Sequence, residues 1–371
     1  MAKSQFSRAA ISGICSVVPA TIKKIDDEID MYGGDAKQIQ RIKKTIGINE
    51  RHVVDSETTT SDLCVYAARK LIREMVVNKE DIDGLILVTQ TADYYQPFSA
   101  AIIHNKLNLS TNCASFDVNL GCSGYVYGLW LAYMMIESNT CSNVLLLAGD
   151  TLSKCVNNKD RSVAPLFGDA GTATFVQRTA HDNNKSYFSL HTDGSGYSHI
   201  MIPAGGFRKP ANESTRVEKI FDDGNHRSEE NIFMNGAEVF NFSIREEPAA
   251  IIEIMDYANL TEADIDYIVF HQANKYIISN IARRLNFPLS KVPSDTVEKY
   301  GNQSSASIPS TICDAIRDEV SSDRRTVVLS GFGVGLSWAT CVIGLEKIYC
   351  PEIEQYDGGD YNEQVGIDTR N

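Results

Sequence analysis

Short runs without a polar side chain punctuate the chain. They include residues 85–88 in "DGLILV", 144–148 in "NVLLLAG", 268–270 in "DYIVF" and 327–329 in "TVVLSG". Bounded by acidic or glycine-containing turns and separated by helices, they read as strands of a mainly parallel sheet covered on both faces. Between them the period changes. After the extended run at 114–118, Tyr125, Leu129, Leu131 and Met134 recur at helical spacing. The pattern also repeats across the chain. "DIDGLILVTQTADYYQPFSAAIIHNKL" from Asp81 matches "DIDYIVFHQANKYIISNIARRL" from Asp264 in its acidic turn, apolar strand, polar loop and amphipathic helix ending in a basic residue and leucine. Downstream, "SFDVNLGCSGYVYGLWLAYMMIES" followed by "NVLLLAGD" parallels "VEKYGNQSSASIPSTICDAIRDEV" followed by "TVVLSGFG". Two such copies imply a duplicated α/β unit with pseudo-twofold symmetry. The halves are expected over 1–180 and 181–346. A Gly-, Asn-, Asp- and Ser-rich excursion over 181–232 and an acidic tail over 347–371 complete the division.

With 371 residues, 43% of them apolar and 22% charged, the chain has the composition of a globular protein with a substantial core. No apolar run approaches the roughly 20 residues of a membrane span, and the N-terminus lacks the pattern of a secretory signal. A formal charge of −13 argues against nucleic acid as a partner. Nine cysteines, with no CxxC pair or His-Cys cluster, argue against a zinc site and a disulfide framework, and point to a reducing cytoplasm.

Cys122 sits between Gly121 and Ser123-Gly124, where strand gives way to helix. Free N–H groups at a helix start stabilise a thiolate and are expected to lower the thiol pKa, which suits a nucleophile. Read alone, the same residue also suits a small apolar filler. In a duplicated sheet, loops at corresponding strand ends meet near the symmetry axis, so Cys122 is expected to face the loops that carry His271 and Asn302. His271 ends a strand and suits proton exchange or hydrogen-bond donation; Asn302 suits donation too, or a helix cap. "SGFGVGLSW" from Ser330 presents main-chain N–H groups for an oxyanion but lacks the GxGxxG spacing of a dinucleotide site. Asp169 in "FGDAGTATF" reads as structural.

Five motifs in this order carry a family resemblance: "GCSGYVYGL" at Cys122, "GDAGTA" at Gly168, "HQAN" at His271, "GNQSSASIP" at Asn302 and "GFGVGLSWA" at Gly331. The chain resembles the β-ketoacyl-[acyl carrier protein] synthase III family of the thiolase superfamily over about nine-tenths of its length. The resemblance implies an α/β thiolase-like fold layered α-β-α-β-α. It implies an acyltransferase in which Cys122 takes an acyl group from a thioester primer, with the main-chain N–H groups of Cys122 and Val334 as oxyanion hole. His271 and Asn302 would stabilise the enolate formed when a malonyl thioester loses carbon dioxide. It further implies no cofactor or metal, an acyl carrier protein and acyl-CoA or acyl carrier thioesters as partners, and a homodimer in which Gln96 and Phe98 reach the other subunit's acyl pocket. Arg161, Arg283 and Arg284 fall at positions for coenzyme A or carrier binding. The tryptophan that often stacks on adenine is missing from "QRIKKTIGINERHVV", where Arg41 stands near its place. Two other readings are transfer of the acyl group to an oxygen, nitrogen or unusual carbon nucleophile, and a non-catalytic partner of a condensing enzyme. Retention of the cysteine counts against the last.

Overall fold

The structure is a computed structural model that describes residues 2–179, 185–221 and 224–359. In the first half, β1 (Ala2–Phe6) and β2 (Ala9–Pro19) precede a small pair, β3 (Ile22–Lys24) with β4 (Glu50–His52), flanking α1 (Ala36–Thr45). Then come α2 (Thr60–Glu74), β5 (Gly84–Val88), α3 (Ser99–Leu107), β6 (Ala114–Val118), α4 (Gly124–Glu137), β7 (Asn143–Asp150) and β8 (Ala170–Arg178). The second half opens with β9 (Ser186–Thr192) and two short pairs, β10 (Ile200–Met201) with β13 (Phe233–Met234) and β11 (Lys219–Ile220) with β12 (His226–Arg227). It continues through α5 (Gly236–Ala258), β14 (Tyr267–Phe270), α6 (Lys275–Arg284), α7 (Thr296–Tyr300), α8 (Ser307–Ala315), α9 (Arg317–Ser322), β15 (Arg324–Gly333) and β16 (Ser337–Glu346), and β17 (Glu354–Tyr356) follows.

The duplication is visible in strand order. One sheet runs β17-β2-β8-β7-β5-β6 and the other β1-β9-β16-β15-β14. Thus β2, β8, β7 and β5 correspond to β9, β16, β15 and β14, with the same sequence of antiparallel and parallel pairings. The expectation of a mainly parallel sheet is corrected here: β2/β8, β7/β8, β15/β16, β9/β16 and β1/β9 are all antiparallel. Strands buried on both faces read as continuous apolar runs whichever way their neighbours point.

That double burial comes from three helix layers. Tyr125, Leu129 and Tyr133 of α4 and Ile308 and Ile312 of α8 share one core with Ile86 and Leu146 of the first sheet and Val327 and Ile343 of the second. Leu63 and Leu71 of α2 and Ile103 of α3 cover the first sheet's outer face. Ile251 and Ile254 of α5 and Ile278 and Ile281 of α6 cover that of the second. The α-β-α-β-α layering follows. Helix starts are fixed locally: Asp117 of β6 accepts the N–H groups of Ser99 and Ala100 at 2.7 and 2.8 Å, and Asn274 caps α6 by accepting from Ile277 N–H at 2.8 Å.

The ends of the chain cross over. β1, from the first half by sequence, pairs with β9 in the second sheet, and β17 pairs parallel with β2 in the first. The segment read as a tail therefore contributes a strand, and Tyr356 meets Tyr66 edge-on at 5.7 Å. Residues 360–371, Tyr361 included, lie outside the described residues. The loop-rich reading of 181–232 also needs correction at its start, because β9 is an interior strand of the second sheet.

Phe188 of β9 is fully buried between Phe6 and Tyr133, with ring centroids 5.5 and 5.2 Å away. Phe188→Ala should cost about 3–5 kcal/mol and lower the melting temperature by roughly 5 °C. Ile252→Ala, at a position 53% exposed, should change stability by less than about 0.5 kcal/mol. Thermal melts of the two variants test the assignment of β9 to the core.

Candidate active site

The ends of the two sheets that face each other enclose a cavity of about 390 Å³. Cys122, His271, Asn302 and Val334 all line it. Each arrives from a different loop: Cys122 between β6 and α4, His271 directly after β14, Asn302 between α7 and α8, and Val334 between β15 and β16.

Cys122 is half-buried and free. The main-chain N–H groups of Val334 and of Cys122 itself, with the Ser304 side chain, favour its thiolate, while Ser304 Oγ is otherwise buried without a hydrogen-bond partner. Two glycines make this convergence possible. An added Cβ at Gly333 would lie 2.7 Å from Cys122 Sγ, and one at Gly331 would lie 2.7 Å from the Cys122 carbonyl oxygen. Ser123 and Ser337 tie the two loops together, Oγ to Oγ at 2.6 Å, and Ser337 Oγ also donates to the Val334 carbonyl at 2.9 Å.

The lowered thiol pKa expected from the helix start is not found. Burial dominates and pushes the Cys122 thiol up to about 11; the Val334 N–H opposes it and the buried Asp150 carboxylate adds to it. The helix itself begins only at Gly124. Burial likewise pushes His271 down to about 4, so its imidazole is neutral at pH 7. His271 N–H donates to the Ser330 carbonyl at 2.8 Å, its ring meets Phe332 edge-on at 5.7 Å, and Nδ1 is buried without a partner. The Asn302 side chain accepts from Ser304 N–H at 2.9 Å through Oδ1, which turns Nδ2 into the group left to donate. Its main chain bonds across to the first half, with Asn302 N–H donating to Leu166 O at 2.8 Å and the Asn302 carbonyl accepting from Gly168 N–H at 3.1 Å. Asp169 is structural: it accepts from Val54 N–H at 2.8 Å and Ser153 N–H at 3.0 Å, and burial raises it to about 6.

The other sequence candidates stand apart from this cavity. Arg161 lines a separate shallow recess with Lys159 and His226, and its N–H and Nε donate to Asn225 Oδ1 at 3.0 and 3.3 Å. Arg283 and Arg284 are exposed at the far end of α6, whose first turn lines the cavity through Asn274 and Ile277. Gln96 and Phe98 are exposed before α3 and do not line their own protomer's cavity. Residues that the sequence did not single out form most of the wall: Leu152, Phe167, Ile232, Met234 and Phe240, with Gln90 and Asn119 beside Cys122. Their signal is absent from one-dimensional spacing because they come from separate loops. Among the described residues no group of three His, Cys, Asp or Glu side chains is placed to hold a metal ion, and no helix is long and apolar enough to cross a membrane.

A duplicated five-layer fold with this cavity defines an acyl-transferring condensing enzyme of the thiolase class. Residues 116–194 match the family described as 3-oxoacyl-[acyl-carrier-protein (ACP)] synthase III, and residues 255–345 match its C-terminal part. A Campylobacter jejuni protein named putative 3-oxoacyl-[acyl-carrier-protein] synthase 3 is 37% identical over 95% of this chain and 99% of its own. The β-ketoacyl-[acyl-carrier-protein] synthase III of Caldanaerobacter subterraneus is 35% identical over 91% and 98%. The crystal structure of a Burkholderia xenovorans 3-oxoacyl-(acyl-carrier protein) synthase superposes with a TM-score of 0.88 at 34% identity, covering 95% of this chain and 99% of that one. The chain belongs to the 3-oxoacyl-[acyl-carrier-protein] synthase III family.

A thiol held near 11 is ionised in only about one molecule in ten thousand at pH 7. Alkylation of Cys122 by iodoacetamide, followed by peptide mapping, should therefore rise close to tenfold per pH unit from 7 to 10. A plateau near pH 8 would mean that the helix start outweighs burial.

Proposed function

We propose that this enzyme joins an acyl primer to a malonyl thioester with loss of carbon dioxide, in fatty-acid biosynthesis. Cys122 Sγ attacks the primer's thioester carbonyl and forms a new C–S bond. The resulting oxyanion is held by the N–H groups of Cys122 and Val334. Collapse expels the carrier sulfur, which leaves as the thiol with the proton that Cys122 gave up. The malonyl thioester then enters. The His271 ring and Asn302 Nδ2 hydrogen-bond its thioester carbonyl, so the negative charge left by departing carbon dioxide is stabilised as an enolate. The enolate carbon attacks the acyl-Cys122 carbonyl, the C–S bond breaks, and the Cys122 thiolate takes up a proton from solvent as the 3-oxoacyl thioester is released. A neutral imidazole suits this role, since it donates without trapping the enolate as an ion pair. The meeting of Cys122, His271, Asn302 and Val334 in one cavity carries the reading. No resident cofactor is needed for any step.

An acyl carrier protein is the proposed bearer of both thioesters. Exposed Arg283 and Arg284 lie on the helix whose start lines the cavity, where they suit an acidic carrier. The stacked Phe240 and Tyr276, 5.5 Å apart, form the apolar lip beside it. A coenzyme A primer finds less: Arg41 is exposed on α1, and Arg161 is held by Asn225. We also propose a homodimer. β6 ends its sheet with an open edge, and Gln90 and Asn119 leave the nearby end of the cavity exposed. A second subunit against that edge would close the cavity and bring its own Gln96 and Phe98 near.

Intact-protein mass after incubation with acyl carrier thioesters tests the first step: one acyl group should be gained, and none by Cys122→Ala. Asn302→Asp keeps the acceptor for Ser304 N–H but replaces the Nδ2 donor with a carboxylate. It should still acquire the acyl group while condensation with malonyl thioester falls by about 100- to 1000-fold, and His271→Ala should behave alike. Loss of acylation in the Asn302 and His271 variants, with condensation unaffected per acyl-enzyme, would reverse the assignment.

A further inference from the structure

Most of the cavity wall is hydrocarbon, yet the end beside Cys122 carries two primary carboxamides, Gln90 and Asn119. Among the described residues neither side chain has a hydrogen-bond partner. Gln90 is nevertheless firmly based. Its N–H donates to Asp150 Oδ1 at 2.7 Å, and Asp150 is itself held by Thr89 Oγ1 at 3.2 Å and Ser305 Oγ at 2.9 Å. From there the carboxamide lies over the residue before the nucleophile: an added Cβ on Gly121 would come 2.0 Å from Gln90 Oε1 and 2.8 Å from Val334 Cγ1. A donor and acceptor group thus stands between the cysteine loop and the oxyanion loop, beside the path of the first carbons of a chain attached to Cys122.

Charge narrows what it would bind. No lysine or arginine lines the cavity, and the His271 ring is neutral. Asp150 lies buried directly behind Gln90. A carboxylate on the primer would find no counter-charge and one like charge, whereas a hydroxyl or ketone oxygen would find both a donor and an acceptor. Gln90 and Asn119 are exposed in the single chain; once the proposed second subunit closes this end, a purely hydrocarbon primer would leave them unpaired, the arrangement that discriminates most strongly against an analogue lacking the polar group.

We infer that Gln90, with Asn119, selects a primer whose acyl chain carries a neutral oxygen close to the thioester, of the 3-hydroxyacyl type. The inference rests on Cys122 as the acyl acceptor. The test compares the rate of single-turnover acylation of Cys122, by intact mass, with the pantetheine thioesters of butyrate, both enantiomers of 3-hydroxybutyrate, and succinate. One 3-hydroxybutyryl enantiomer is expected to react about tenfold faster than butyryl, with succinyl slowest. Gln90→Leu should bring the hydroxybutyryl-to-butyryl ratio down to about one, and Asn119→Ala should lower it in part. A wild-type enzyme that takes butyryl as fast or faster overturns the inference while leaving Cys122 as acceptor. An unchanged ratio in folded Gln90→Leu removes Gln90 from the selection. If no thioester adds mass while iodoacetamide still labels Cys122, the acyl-acceptor reading itself fails, and the inference with it. The wild-type ratio decides even where a variant does not fold.

Discussion

The active centre depends on how closely the β15–β16 loop approaches the cysteine loop. With Gly331 and Gly333 lacking Cβ atoms, main chain can lie where any other residue would overlap the Cys122 carbonyl oxygen or sulfur. That approach brings the Val334 N–H near enough to favour the Cys122 thiolate. The contact also joins the two halves, because the Ser123–Ser337 hydrogen bond sits immediately behind it. Packing between α4 and β15 in the central core is therefore coupled to oxyanion geometry. A change that moved either half by a fraction of an ångström would be felt at the sulfur before it was felt in the sheets.

Burial in such a contact has an electrostatic cost. The thiol is raised and the imidazole lowered by the same loss of solvent, so the resting site holds two neutral groups in place of a thiolate–imidazolium pair. The chemistry fits this state. Each proposed step creates negative charge on an oxygen, and the proposal gives each oxygen two neutral donors. A site that kept a thiolate at rest would have had to stabilise that charge in the ground state as well, which lowers the gain at the transition state.

Much of this was legible in the sequence, for identifiable reasons. His271 follows an apolar strand and Cys122 an extended run, and strand ends in a duplicated sheet converge; Val334 was indicated by the family resemblance, and all three line one cavity. Asn302 was found through its parallel with the cysteine loop, although it begins no helix and instead bridges to Phe167. Strand direction was not legible, since β8 and β16 carry the same apolar signature as parallel neighbours. β9 was hidden in a polar stretch because it contributes few large apolar residues, Phe188 and Leu190 among them. Gln90 was passed over because its meaning lies in contact with Gly121, which is distant in sequence and brought near only by β5 and β6 pairing in parallel.

The two halves are alike where they support the site and differ where they act. In the first half the strand before the nucleophile, β6, extends the sheet and ends it with an open edge. The corresponding stretch of the second half forms α7 instead, and the residues after it leave the sheet to bond with Leu166 and Gly168 of the first half. That divergence puts a carboxamide donor opposite a thiol, where strict symmetry would have placed two equivalent groups. It also leaves β14 and β6 as the last strands of their sheets, with His271 after the one and Asn119 and Cys122 after the other lining the cavity. In the proposed homodimer, a second subunit bound at β6 would cover the end of the cavity beside Gln90 and Asn119 and leave the end beside α6 open for the proposed carrier. Duplication supplies the frame, and β6, which has no counterpart beyond β14 in the second sheet, sets the cysteine loop apart from the loop that carries Asn302.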